Sequence, residues 1–265
     1  MIEPPQLHEV PAVRNLRVPA SSARHTFLLN SMDMISYYSL HQILAKSNLP
    51  GVKNHIYILN KSVYVLVASL WEAYCEDVVA ESVAHLVKHA PQWDALPRAL
   101  TKVVAKELRS GDTELAPWTL AGDGWRTYIE DRLEMLARRR EFYFASPKSA
   151  NVEKLFKEAL GIEDITRKWR TGPRFSTICE ALDTHIDRRN VLVHRIKPGP
   201  TLNKRDVKDF FKIVRWLVRR TDRIVDEILT SSTGESRWSV LVPDNPTELF
   251  EDIDGKHLLK ADASD

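Results

Sequence analysis

At 265 residues, with 43% hydrophobic and 28% charged side chains, the chain has the balance of a protein that buries a substantial core, which excludes disordered, collagen-like and disulfide-stapled classes. Its formal net charge is only +2, and nine glycines are too few for a turn-rich sheet protein. No run of about eighteen apolar residues and no basic-then-apolar amino terminus marks a membrane span or a signal peptide, so a cytoplasmic protein with no membrane partner is expected.

Residues 1–24 hold four prolines and no sustained hydrophobic period, and read as an extended N-terminal arm. A helix is predicted from His25 to Ser47, stopped by Asn48-Leu49-Pro50-Gly51. The longest periodic segment follows, from Asn54 to Ala90. Around Val63 to Trp71 it is apolar on nearly every side, the pattern of a central helix. Glu72 comes directly after, a carboxylate where burial is greatest, and it calls for a cation. Glu81, His85 and His89 stand at i, i+4 and i+8, a spacing able to ligate a metal. Without a His-Glu-x-x-His motif or a cysteine partner they read as an ordinary polar face, and no metal or cofactor is expected.

Residues 91–110 suggest another helix, Gly111 to Gly124 a loop, and Trp125 to Arg140 a helix closed by three arginines favourable at a carboxyl end. Ser149 or Asn151 is a candidate cap for a short helix ending at Leu160, with Gly161 as its stop. The helix from Ile178 to Ile196 precedes Lys197-Pro198-Gly199-Pro200, a turn. A last long helix runs from Asn203 to Leu229, and an acidic tail takes up the remainder, 231–265. These elements predict an all-α fold, a bundle of about six to eight helices over residues 25–230. Cys75 and Cys179 are isolated in predicted helices, as in a reducing compartment.

The charge is unevenly placed. Residues 1–166 carry 19 Lys+Arg against 20 Asp+Glu, residues 167–223 carry 16 against 6, and residues 224–265 carry 3 against 10, or −1, +10 and −7. On the last helix Lys208, Lys212, Arg215, Arg219 and Arg223 repeat every three or four residues. They form a basic ridge that is expected to run beside the preceding helix and to meet a polyanion. The acidic tail would complement it.

The helix from Ile178 breaks its own pattern. At about 100° per residue, Ile178, Leu182, Ile186, Val193 and Ile196 fall on one stripe, and Arg189 falls at its centre. A permanently charged guanidinium there needs a carboxylate, a phosphate or several acceptors, and Glu72 is the simplest partner. Asn190 and His194 share the rim of the stripe one turn apart, whereas Arg188 points off it like an ordinary solvated arginine. Two copies of this helix meeting on a two-fold axis would bring two Arg-Asn-His sets into one cleft.

Arg189-Asn190-Val191-Leu192-Val193-His194 resembles the Rx4-6H motif of HEPN domains, small all-helical proteins of which many are RNases. With Trp71-Glu72-Ala73-Tyr74 on an earlier apolar helix, then Asn151-Val152-Glu153-Lys154-Leu155-Phe156 and Gly161-Ile162-Glu163-Asp164-Ile165, the order is similar to the RiboL-PSP type over about residues 25 to 230. The resemblance implies a metal-independent endoribonuclease, a toxin or antiphage-defence effector restrained by an antitoxin or other regulatory partner. His194 would be general base and Arg189 the group that stabilises the scissile phosphate. Asn190 would orient the substrate or His194, with Glu72 in support and Lys208, Lys212, Arg215 and Arg219 on the RNA. A composite site in a homodimer is implied as well. The alternative is an inactive HEPN-like interaction or nucleotide-binding domain. A nucleic-acid-binding regulator ranks last, since no helix-turn-helix or aromatic RNA-binding signature is present.

Overall fold

The computed structural model describes residues 17–47, 50–110, 115–143, 146–169, 178–194, 202–235, 238 and 240–243. Their helices are α1 (Ser22–Asn30), α2 (Asp33–Ala45), α3 (Val52–His89), α4 (Arg98–Arg109), α5 (Gly124–Tyr143), α6 (Ser149–Leu160), α7 (Ile165–Trp169), α8 (Ile178–His194) and α9 (Lys204–Thr233). The all-α bundle predicted from sequence is the architecture found.

The organising element is α3, about 57 Å long at 1.5 Å per residue. Tyr64, Trp71, Tyr74, Cys75, Val78 and Val79 on it are fully buried, and α1, α2, α5, α6, α8 and α9 all pack against it. A helix wrapped on so many sides must be apolar nearly all round, which is what Val63 to Trp71 displays. The helix next in importance is α9, started by a reciprocal capping box between Asn203 and Asp206 and laid along α3 through Val207, Phe210, Val214, Leu217 and Val225.

Several boundaries differ from the sequence reading, each for a local reason. The single helix expected from His25 to Ser47 is two, because the Ser31 hydroxyl donates to the Leu28 carbonyl at the junction and competes with helical bonding. The first part of the expected helix 91–110 is a 3-10 turn, Trp93–Ala95, and α4 starts only after Pro97. Neither Ser149 nor Asn151 caps α6. Asp183 of α8 accepts from the Ser149 backbone N–H and hydroxyl, both at 2.7 Å, so the cap comes from another helix. Gly161 does stop α6, at φ +67°, and its backbone lies so near Leu100 that a Cβ would stand 2.2 Å from that residue's nitrogen.

The arm and tail contain structure that the sequence reading missed. Arg17–Ala20 (β1) pairs antiparallel with Val240–Pro243 (β2), with Ala20 opposite Val240. Next to this ribbon, the N-terminus of α1 is held by three side chains: Ser21 accepts from the Arg24 N–H, Glu81 accepts from the Ser22 and Ala23 N–H groups at 3.1 Å each, and Asp222 accepts from the Ser21 N–H and hydroxyl. Asp222 is 1% exposed and 3.9 Å from the Arg24 guanidinium; burial pushes its pKa up to about 6, against the pull of Ser21 and Arg24.

Glu81, His85 and His89 thus serve different partners. Glu81 caps α1, His85 Nε2 lies 3.3 Å from Thr233 Oγ1, and His89 Nδ1 lies 3.4 Å from Glu235, with the two imidazoles stacked at 4.5 Å. No metal-ligating cluster exists among the described residues, and no helix there is long and apolar enough to cross a membrane.

Candidate active site on the motif helix

Helix α8 is seated by Leu182, Ile186 and Leu192, all buried. On its side toward α3 and α9, His185 Nδ1 is 2.6 Å from the Tyr64 hydroxyl, and its ring stacks on Phe210 at 4.7 Å. Burial, then the Arg188 charge, hold the His185 pKa below its ordinary value, so this imidazole is neutral near pH 7. Arg188 Nη1 bonds Asp206 Oδ1 at 2.8 Å, and its guanidinium lies over the Tyr64 ring. The reading of Arg188 as an ordinary solvated arginine is therefore wrong. Its side chain is only 24% exposed, because the capping acid of α9 draws it into the α8–α9 seam.

Arg189 points elsewhere. Nη2 is 4.0 Å from Glu72 Oε2, and Nη1 donates to Asn190 Oδ1 at 3.0 Å, with the arginine side chain 16% exposed. The Glu72 partner inferred from the sequence is in place. Its pKa stands above the usual carboxylate value, because burial and the neighbouring Glu76 outweigh the Arg189 charge. Asn190 Nδ2 donates to Ser146 Oγ at 3.2 Å, and the Ser146 carbonyl accepts from Asn151 Nδ2 at 2.7 Å. A polar chain thus links α3, α8 and the start of α6, and it passes through Glu72, Arg189, Asn190 and Asn151, residues belonging to each of the quoted motifs except the Gly161 segment.

His194 is the last residue of α8 and is exposed. It shares a stripe with Asn190, one turn away, while Arg189 is about 140° round the helix from it. Within one chain the arginine and the histidine therefore do not stack on one small ligand. The predicted apolar stripe also changes at this end: Val193 is 48% exposed and Leu192, about 100° away round the helix, is buried instead. Ile196 and the Lys197–Pro200 turn lie outside the described residues.

The basic ridge is not where the sequence reading put it. Helix α8 touches α9 through Asp206 and Phe210, whereas Lys208, Lys212, Arg215 and Arg219 are centred roughly 160° round α9 from those contacts. They lie on the flank where Asp222 meets α1 and where Lys204 covers Tyr38 of α2. Short connections made α8 and α9 neighbours, but which face a helix turns to its neighbour is set by its apolar residues, and those turn the ridge away.

Sequence reasoning missed Ser146, Arg188 and Arg132. Arg132 is 4% exposed on α5, bonded to both Glu107 oxygens at 2.7 and 3.0 Å and to the Glu158 carbonyl, locking α4, α5 and α6. The available signal for Ser146 was the Ser-Pro pair just ahead of a helix start, a position that favours a fixed turn.

An all-α bundle built round one central helix, with an Arg-Asn-x3-His helix seated against it and its arginine met by a glutamate of that central helix, defines the HEPN class of helical domain. The chain belongs to the RiboL-PSP-HEPN family, whose model matches residues 32–227, well over half of its length. No curated protein and no solved structure matches it significantly.

Proposed function

We propose that the protein is a metal-independent endoribonuclease of HEPN type, cytoplasmic and acting as a toxin or antiphage-defence effector under the control of a partner. The single observation that carries the catalytic reading is the half-buried Arg189, aimed between Glu72 and Asn190 on the helix that ends in an exposed His194. A guanidinium suits a phosphate, and an exposed imidazole suits proton transfer near neutral pH.

In this reading His194 takes the proton of the ribose 2′-hydroxyl, and the 2′-oxygen attacks the adjacent phosphorus. Arg189 stabilises the charge gathering on the non-bridging oxygens, and an acid protonates the leaving 5′-oxygen. The products are a 2′,3′-cyclic phosphate and a 5′-hydroxyl, and DNA, lacking the nucleophile, is not cleaved. Because Arg189 and His194 diverge within one chain, the complete site forms between two copies. The exposed Val193 beside His194 supports a contact there.

The alternative, an inactive interaction or nucleotide-binding domain, draws on the same Glu72–Arg189 pair as a purely structural tie. Purified wild type, Arg189→Ala and His194→Ala incubated with structured RNA in EDTA distinguish the two. Cleavage with cyclic-phosphate ends, absent in both variants, is expected. No cleavage by wild type across several RNAs would move the assignment to the interaction domain.

A further inference from the structure

The segment Ser146–Ser149 is fastened along α8 at three successive points. Ser149 bonds Asp183, Lys148 Nζ is 2.6 Å from Asp187, and Ser146 Oγ accepts from Asn190, a set spaced i, i+4 and i+7 on one stripe. His194 is the next residue on that stripe. The segment is also fixed from behind, since Trp71 Nε1 donates to the Pro147 carbonyl at 3.1 Å and Asn151 donates to that of Ser146. Pro147 itself is buried, and its ring restricts the backbone.

The hydrogen-bond chemistry of Asn190 gives Ser146 its importance. A guanidinium only donates, so Asn190 must turn Oδ1 toward Arg189, which leaves its NH2 group in need of an acceptor. Ser146 Oγ is that acceptor. Trp71, which holds Pro147, is the neighbour of Glu72, which meets Arg189 from the other side, so one turn of α3 governs both flanks of the guanidinium.

We propose that Ser146 is a positioning residue for Arg189: through the Asn190 amide, and held in register by Pro147, Lys148 and Ser149, it sets the direction in which the guanidinium faces a phosphate. Its effect on cleavage rests on the ribonuclease reading; its effect on Arg189 does not. Removing the hydroxyl deprives the amide NH2 of its acceptor, so Asn190 is no longer tethered on that side and its hold on Arg189 loosens.

The test compares wild type, Ser146→Ala and Ser146→Thr. Exchange of the Arg189 guanidinium protons, followed by NMR on uniformly labelled full-length protein, is expected to be several-fold faster in Ser146→Ala and near the wild-type rate in Ser146→Thr, with the melting temperature little changed. With RNA in EDTA, kcat should fall about tenfold in Ser146→Ala with KM nearly unchanged, as for a small misplacement of a catalytic group, and Ser146→Thr should recover it. Unchanged exchange in Ser146→Ala overturns the inference, as does a loss accompanied by unfolding that threonine fails to rescue. Altered exchange in a protein whose wild type cleaves no RNA supports the positioning role and sinks only the ribonuclease reading.

Discussion

Glu72 Oε2 and Arg189 Nη2 stand 4.0 Å apart with side chains 27% and 16% exposed, an ion pair too long to be a hydrogen bond. Glu72 therefore aims the guanidinium by charge without gripping it, and leaves its orientation to Asn190. Burial raises the Glu72 pKa above the ordinary carboxylate value, with Arg189 opposing and Glu76 adding to the shift. Raised in the folded state, Glu72 takes up a proton at a higher pH than an ordinary glutamate, and the pair weakens as pH falls through that value. Glu72→Gln mimics the protonated form. Its cleavage rate is expected to fall about tenfold near neutral pH with the melting temperature kept, since an orienting partner is lost but no buried core group. Its acid limb should narrow to a single ionisation, and a pH–rate profile identical to wild type would remove Glu72 from the site.

Asn190→Asp is the complementary change. The carboxylate would accept from Arg189 more strongly, and the Ser146 hydroxyl would donate to it, so every local hydrogen bond has a replacement. With two carboxylates on one guanidinium, however, its capacity to stabilise a phosphate is largely spent. The expected result is an unchanged or higher melting temperature with kcat reduced by a factor of about a hundred, the scale of losing an oxyanion-stabilising group. Activity equal to wild type would show that Arg189 does not act on the phosphate.

How much of this was legible depended on whether the cause was local. The central helix was readable because Val63 to Trp71 is apolar all round, and the polarity of Arg189 was readable because only a partner makes a charged residue tolerable at the centre of an apolar stripe. The β1–β2 ribbon, α7 and the capping of α6 by Asp183 were not, since four- and five-residue elements carry too few periods and a cap from another helix leaves no local mark. Arg188 was misjudged because a single stripe recognises one buried face, whereas α8 has polar partners on a second, Tyr64 and Asp206. Val193 was misjudged because Leu192, about 100° away round the helix, takes the buried position in the last turn.

The Ser21–Arg24–Asp222 cluster gives a pH signature. With a folded pKa of about 6 against an ordinary 3.8, Asp222 favours the folded state when protonated. The sign follows: its contribution is fully present below about 3.8 and is lost as pH rises through about 6. The shift corresponds to on the order of 3 kcal/mol. In urea titrations between pH 4 and 7, wild type minus Asp222→Asn should therefore grow by roughly that amount toward the acid end. A pH-independent difference would mean that Asp222 titrates normally.

Arg132 and Glu107 form a different kind of pair, bidentate and with the arginine side chain only 3% exposed. Deleting the acid leaves the buried cation bonded to the Glu158 carbonyl but stripped of the Glu107 charge. Glu107→Ala should destabilise by about 3 kcal/mol, whereas Glu107→Ala combined with Arg132→Met should recover much of the loss, because an apolar pair avoids the uncompensated charge. Urea unfolding of the four proteins measures the coupling, and strict additivity would refute it.

The ridge on α9 makes the last prediction, because its placement separates binding from chemistry. Lys208, Lys212, Arg215 and Arg219 face away from α8, so RNA that meets them does so as an extended polyanion passing over the flank of α9, at a distance from Arg189. Lys212→Gln and Arg219→Gln should each lower the slope of log affinity against log salt for single-stranded RNA by about 0.7, the counterion release of one phosphate contact. Both should raise KM at physiological salt while leaving kcat nearly unchanged, since neither touches the reacting phosphate. A fall in kcat at saturating RNA would place the ridge in the catalytic cleft. An unchanged salt slope would instead make it a solvated face with no role in holding RNA.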